Sequence, residues 1–261
     1  MNGNKRIGLV VQERDRRLLR ELGHVRVIDR EQAKVLGGFS STTRVNTRLL
    51  ALTRVGLLKR FFLGTRAGGA KALYSLSPKG AKFIGVPDRG PQRRNDTALV
   101  GDLFVEHQLA VNDIYCAFKT ESLPGVAFRR WVAFFEPIAQ GVRLIPDGYV
   151  EFETPSGIFG AFLEVDLGSE SLKVWKDKVK TYLTYAVSGT FEKQFGLTRF
   201  RVLVVAHSER RMQSIRRVVG ETTDKIFWFQ NFESIERDGL LAPRWLRPRG
   251  EYRLPLIKEL P

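Results

Sequence analysis

Residues 158–166 restrict the fold more than any other stretch, because Ile158, Phe159, Ala161, Phe162, Leu163 and Val165 make an almost unbroken apolar run. Successive side chains of a strand point to opposite faces, so a strand with one wet face alternates apolar and polar residues. This run does not alternate, and a strand of that kind has both faces covered. Residues 200–206 repeat the pattern. Between and around these runs, residues 100–118, 169–187 and 208–219 carry apolar side chains at helical spacing, and 128–133, 148–152 and 226–230 read as further strands. The order is helix, three strands, helix, strand, helix, strand. It predicts a three-layer α/β domain.

The remainder of the chain has a different character. Residues 1–94 hold 21 Lys and Arg against 6 Asp and Glu, while residues 95–261 hold 22 of each, so the whole net charge of +15 belongs to the first third. Charge kept only for solubility has no reason to stop at one boundary, and a phosphate-binding surface needs concentrated cation. Leu18, Leu19 and Leu22 mark the inner face of a first helix whose other side carries Arg14, Arg16, Arg17 and Arg20. Asp29 caps a second helix that ends at Gly37 and Gly38. Ser40 or Ser41 opens a third, with Val45, Leu49 and Leu52 inward and Thr43, Arg44, Thr47, Arg48 and Arg54 outward. Residues 56–62 and 71–76, joined by a Gly-rich tip, make a hairpin carrying Lys59, Arg60, Arg66 and Lys71. Ser77 and Pro78 then start another helix.

Three helices and a basic hairpin follow the winged helix-turn-helix order, in which the third helix enters the major groove and the hairpin grips the flanking backbone. Arg44 and Arg48, four residues apart, share a helix face and are the expected base or phosphate contacts, with double-stranded DNA as the partner. A solvated arginine face on a protein-binding winged helix is the alternative. The expected boundaries are a winged helix at 1–86, a linker at 87–98, a second α/β domain at 99–235 and a C-terminal extension at 236–261.

Several classes are excluded by composition. With 43 % hydrophobic residues and 18 Phe, disorder is not expected. No stretch approaches the roughly 18 to 20 apolar residues that span a bilayer, and residues 1–6 have no apolar signal core, so a cytoplasmic protein without a membrane partner is expected. Cys116 is the single cysteine and reads as core. His24, His107 and His207 have no zinc-type spacing with it, so a metal would be held by oxygen. Walker-type and nucleophilic-triad signatures are absent.

The chemistry-bearing residues are carboxylates. Asp147 precedes one strand, and Glu164 and Asp166, two apart on the next, share a face; a hairpin would bring Asp147 to them. Gathered carboxylates repel, a cost that a divalent cation offsets, and phosphodiester hydrolysis uses such a cation. Each acid also has a plain structural reading: Asp147 as a turn residue after Pro146, Asp166 as a helix starter, Glu164 as a buried acid with a protein partner. His107 reads as a core histidine, and Glu106 and Asp113 as a solvated helix face, with a further ligand pair as the alternative.

Asp147 followed by Glu164-x-Asp166, within that order of helices and strands, resembles the PD-(D/E)xK nuclease superfamily. The resemblance implies Mg²⁺ or Mn²⁺ held by Asp147 and Glu164, with Asp147, Glu164, Asp166 and Lys178 as the catalytic set. Asp166 stands where the motif has lysine. Variant members supply the lysine from the following helix, where Lys178, between Trp175 and Tyr182, is the best placed, ahead of Lys173, Lys176 and Lys180. More narrowly, Arg14 and Asp15 with Leu18 and Leu19, residues 49–58, and residues 163–170 with Lys178 and Tyr182 are similar to the replication-relaxation family of plasmids and other mobile elements. That resemblance implies replication or mobilisation of extrachromosomal DNA. Two roles are left for the second domain: metal-dependent DNA cleavage, or, in a non-catalytic DNA-binding replication or transcription factor, dimerisation or contact with a partner such as a replication protein.

Overall fold

The computed structural model describes residues 9–64, 68–90 and 102–257. They form an α/β protein that divides into two compact units, one up to Cys116 and one from Ala117.

In the first unit, α1 (Glu13–Val25), α2 (Arg30–Gly37) and α3 (Thr42–Arg54) precede a hairpin of β1 (Leu58–Gly64) and β2 (Ala70–Leu76), followed by α4 (Pro78–Ile84) and the start of α5 (Asp102–Thr120). The helix starts follow their caps. Asp29 accepts from the Gln32 amide, Ser41 from Arg44 and Ser77 from Gly80, each satisfying an otherwise orphaned N–H. Gly38 ends α2 at φ 65°, the left-handed conformation that closes a helix without a Cβ penalty. Leu18, Leu19, Val45, Leu49 and Leu52 are fully buried between the helices. Ile28 and Tyr74 exchange backbone hydrogen bonds of 2.9 and 2.8 Å, adding a short third rung to the hairpin.

The second unit contains β3 (Ala127–Val132), β4 (Gly148–Thr154), β5 (Gly157–Asp166), α6 (Leu172–Val187), α7 (Thr190–Phe195), β6 (Arg201–Ala206), α8 (Glu209–Thr222), β7 (Phe227–Asn231), α9 (Phe232–Asp238), β8 (Trp245–Leu246) and β9 (Arg253–Leu254). The strands lie side by side in chain order in one mixed sheet. β3, β4 and β5 are antiparallel, β5, β6 and β7 parallel, and β8 and β9 antiparallel again. Tyr149, Phe162, Val202, Val204, Phe227 and Phe229 on one face pack with Trp175, Val179 and Tyr182 of α6 and Met212, Ile215 and Val219 of α8. On the other face Phe118 meets Phe152 edge-on at 5.7 Å. β5 is buried from Gly160 to Asp166, as its apolar run requires.

Three expectations about organisation change. The expected linker at 87–98 lies outside the described residues apart from 87–90, and the two compact units divide within α5. The reason is local: Val105 and Leu109 of α5 share a core with Val27, Phe61, Leu63 and Leu73 of the first unit, and Asn112 donates to the Val27 carbonyl at 2.6 Å. Phe104, one of the apolar residues in the helical pattern read over 100–118, is exposed because the buried stripe begins one residue later, at Val105. The segment 236–261, expected as an extension, contributes β8 and β9 to the sheet and buries Trp245 and Leu256.

Candidate functional site

The β4–β5 hairpin sets the acid cluster. Gly148 stands opposite Leu163, so Asp147 arrives beside Glu164, its amide donating to the Leu163 carbonyl at 3.1 Å. The Asp147 carboxylate accepts from the Val165 amide at 2.7 Å. Phe162, Glu164 and Asp166 alternate onto the face under α6 and α8, where an unpaired carboxylate would be costly. Both acids are 1 % exposed, and both are answered by side chains from those helices.

Glu164 accepts from the Lys178 ammonium at 2.8 Å and from the Tyr182 hydroxyl at 2.6 Å, and Lys178 also pairs with Glu170 at 2.9 Å. Burial pushes the Glu164 carboxyl up, the Lys178 charge opposes this, Asp147 adds to it, and the outcome is about 6. Lys178 is held above the ordinary lysine range: burial works against its charge, but Glu164 and Glu170 outweigh it. The ammonium form of Lys178 is therefore favoured at neutral pH. Burial also raises the Tyr182 hydroxyl, with Glu164 adding to the shift.

Asp166 has a separate set of partners. Arg211 of α8 grips it with two parallel bonds of 2.7 and 2.8 Å, the Trp175 indole N–H donates at 2.9 Å, and the Gly168 amide at 2.8 Å. Burial works against its charge, yet these donors hold its carboxyl below the usual carboxylate range. Asp147, Glu164 and Lys178 thus come together, while Asp166 is closed off by Arg211. Sequence reading missed Arg211, which is 45 positions away with no spacing signal, and Glu170. Tyr182 entered it through the family resemblance and not as a partner of Glu164, although Tyr182 lies one helical turn after Lys178 and so shares its face. A further buried acid, Glu151, pairs with Arg130 at 2.6 Å and accepts from Tyr149.

Among the described residues no group of three or more His, Cys, Asp and Glu is placed to hold a metal ion. Both Glu164 oxygens already accept from Tyr182 and Lys178, and both Asp166 oxygens serve Arg211. Protein cations supply the neutralisation that a divalent ion would provide, and in this arrangement the donor set does not fit a metal centre.

In the first unit, Thr43, Arg44 and Thr47 of α3 are exposed, as are Arg54, Lys59 and Arg60. Arg44 bonds the Ser40 hydroxyl at 3.1 Å, and Arg60 lies 5.1 Å over the exposed Phe62 ring. Arg48 does not share this outward role. Its guanidinium holds the fully buried Asp15 carboxylate, with one bond of 2.6 Å, and donates to the Val10 carbonyl. The cause is the unmet need of Asp15, which closes the first turn of α1 by accepting the Gln12 amide. Lys71 pairs with Asp29. Arg66 lies outside the described residues. Glu106 and Asp113 do not form a site: Asp113 accepts from Gln32 at 2.7 Å. His107 is half-buried and Cys116 is buried. Among the described residues no helix is long and apolar enough to cross a membrane.

Comparison with known proteins gives one family match and no more. No curated protein and no solved structure matches the chain. The family described as replication-relaxation matches residues 19–199, from within α1 to the residues just before β6. That stretch takes in Arg44, Asp147, Glu164, Asp166 and Lys178, and it is more than two thirds of the sequence: the chain belongs to the replication-relaxation family.

Proposed function

We propose that this chain is a DNA-binding protein acting in the replication or mobilisation of a plasmid or other mobile element. Its first unit is a winged helix-turn-helix, and its second has a PD-(D/E)xK-like fold that serves dimerisation or contact with a replication protein. One observation carries the binding role. The cations presented by α3 and the hairpin, Arg44, Arg54, Lys59 and Arg60, are exposed, and among the described residues none is paired with a carboxylate. The helix order, with Ile28 bridging to Tyr74 beside the hairpin, supports the winged-helix reading, and double-stranded DNA is the partner that such an element fits. The closure of Glu164 by Lys178 and of Asp166 by Arg211 supports the non-catalytic role of the second unit.

A second reading is favoured by the meeting of Asp147, Glu164 and Lys178, the trio that a Mg²⁺- or Mn²⁺-dependent hydrolase of that superfamily uses. It requires Lys178 to release Glu164 to a metal. Incubating supercoiled plasmid with each ion separates the two. The first reading expects salt-sensitive DNA binding without nicking. Nicking by the wild type that Asp147→Ala and Glu164→Ala abolish would replace it with the second. Unchanged duplex affinity in an Arg44→Ala, Lys59→Ala, Arg60→Ala variant would remove the winged helix as the DNA-binding element.

A further inference from the structure

Where β5, β6 and β7 begin, at the opposite end of these parallel strands from Glu164 and Asp166, the second unit holds a cavity of about 710 Å³. Arg199, Arg201, Lys225 and Arg247 line it, and no Asp or Glu does. Among the described residues none of the four is paired with a carboxylate. Three of them lie beyond the stretch that the family match covers.

The two inner arginines are pre-positioned. The Arg201 guanidinium lies 4.2 Å from the Trp228 ring centre and 5.0 Å from that of Phe159, and Arg247 lies 5.0 Å from the same Trp228 ring. Arg201 donates to the Leu256 carbonyl, and Arg247 donates to the Asp224 carbonyl at 2.7 Å. The Arg247 Nε is buried with no hydrogen-bond partner, a donor left open. Burial, then the neighbouring Arg247 and Arg199 charges, pull Arg201 down to about 10, so the cluster is under electrostatic load. The backbone is under load too. Ile226 on the cavity wall has φ 48°, a left-handed conformation that a β-branched residue adopts at a cost of about 1–3 kcal/mol and that gathers at ligand sites.

Like charges held together without acids are relieved by an anion, and planar guanidinium groups fit phosphate with paired bonds. Four cations exceed the need of one carboxylate. The volume falls in the range of small-ligand sites, and Ile158, Ile226 and Leu256 give the cavity an apolar side. We propose that this cavity binds the phosphate groups of a nucleotide, either free or at the end of a nucleic-acid strand. This inference does not depend on the DNA-binding reading of the first unit.

The test uses the full chain, with titration calorimetry of pyrophosphate and ATP and competition by a single-stranded oligonucleotide with or without a 5′-phosphate. Arg199 and Lys225 are exposed, so the Arg199→Gln, Lys225→Gln double variant is expected to keep the wild-type melting temperature. It is expected to weaken ATP and pyrophosphate binding by at least about tenfold, as removal of two charge-assisted contacts implies. Displacement of ATP by the phosphorylated oligonucleotide alone identifies a strand end as the occupant; failure of both oligonucleotides to displace it identifies a free nucleotide. Absence of binding by ATP, pyrophosphate and phosphorylated oligonucleotide overturns the proposal, and so does binding that the double variant leaves unchanged.

Discussion

Two residues four apart on one helix, Arg44 and Arg48, face different tasks because one of them has a buried acid within reach. Asp15 has no solvent exposure, and Arg48 supplies its countercharge while tying α3 to the first turn of α1. Removing one partner of a buried pair leaves the other charged and dry, at a cost of about 3–5 kcal/mol. Arg48→Ala is therefore expected to lower unfolding free energy by about 3 kcal/mol in a denaturant titration, whereas Arg44→Ala, on an exposed side chain, is expected to change it by less than about 0.5 kcal/mol. Glu164 gives a pH signature. Its carboxyl titrates near 4.5 when unfolded and about 6 when folded. Within that window the folded chain keeps a proton that the unfolded chain has released, so stability falls as pH rises from 4.5 to 6 and stays lower above it. The loss attributable to this group is about 2 kcal/mol. Denaturation at about pH 4 and pH 7 checks it: the fall between them is expected to be smaller in Glu164→Gln than in the wild type. An equal fall in both would show that Glu164 does not carry it.

At the level of elements, Gly168 shapes the turn that leads from β5 toward α6. It holds φ 93°, and a Cβ there would stand 3.0 Å from the His207 ring, with its amide already given to Asp166. Gly168→Ala is expected to cost about 1–2 kcal/mol from backbone conformation alone, read as a lowered melting temperature; an unchanged value would show that the turn relaxes freely. The same region marks what a sequence can tell. β5, β6 and α6 were legible because a two-faced apolar run and a 3.6-residue period leave few alternatives. α7 and α9 escaped because six- and seven-residue helices hardly establish a period, and β8 and β9 because two-residue strands have none. The grouping of Asp147 with Glu164 followed from a hairpin, a local inference. The pairing of Asp166 with Arg211 joins a strand end to a later helix, and the pairing of Arg48 with Asp15 joins two helices. Neither leaves a trace in spacing, so Arg48, which packing turns toward Asp15, was read as outward, and the partner of Asp166 was not read at all.

Across the whole chain, charge and chemistry are segregated: the surplus of +15 belongs to residues 1–94, and the remainder is neutral. If the surplus meets DNA, the logarithm of the binding constant should fall with the logarithm of salt by about 0.9 for each phosphate neutralised. Anisotropy measurements across a salt series should then give Arg44→Ala a slope smaller by about one, while Asp147→Ala keeps the wild-type slope. Equal slopes for wild type and Arg44→Ala would place the phosphate contacts elsewhere. The sheet of the second unit has a different kind of order, since its strands lie in space as they lie in the chain. During synthesis each new strand can therefore add to the edge left by the one before, and the open edge travels with the growing chain. The last long edge is β7, whose Phe227, Trp228 and Phe229 would make a sticky template for another nascent chain. β8 and β9, made after it and two residues each, close that edge with a strand too short to recruit a neighbour. A ribosome that stops before residue 245 would release a polypeptide prone to aggregate.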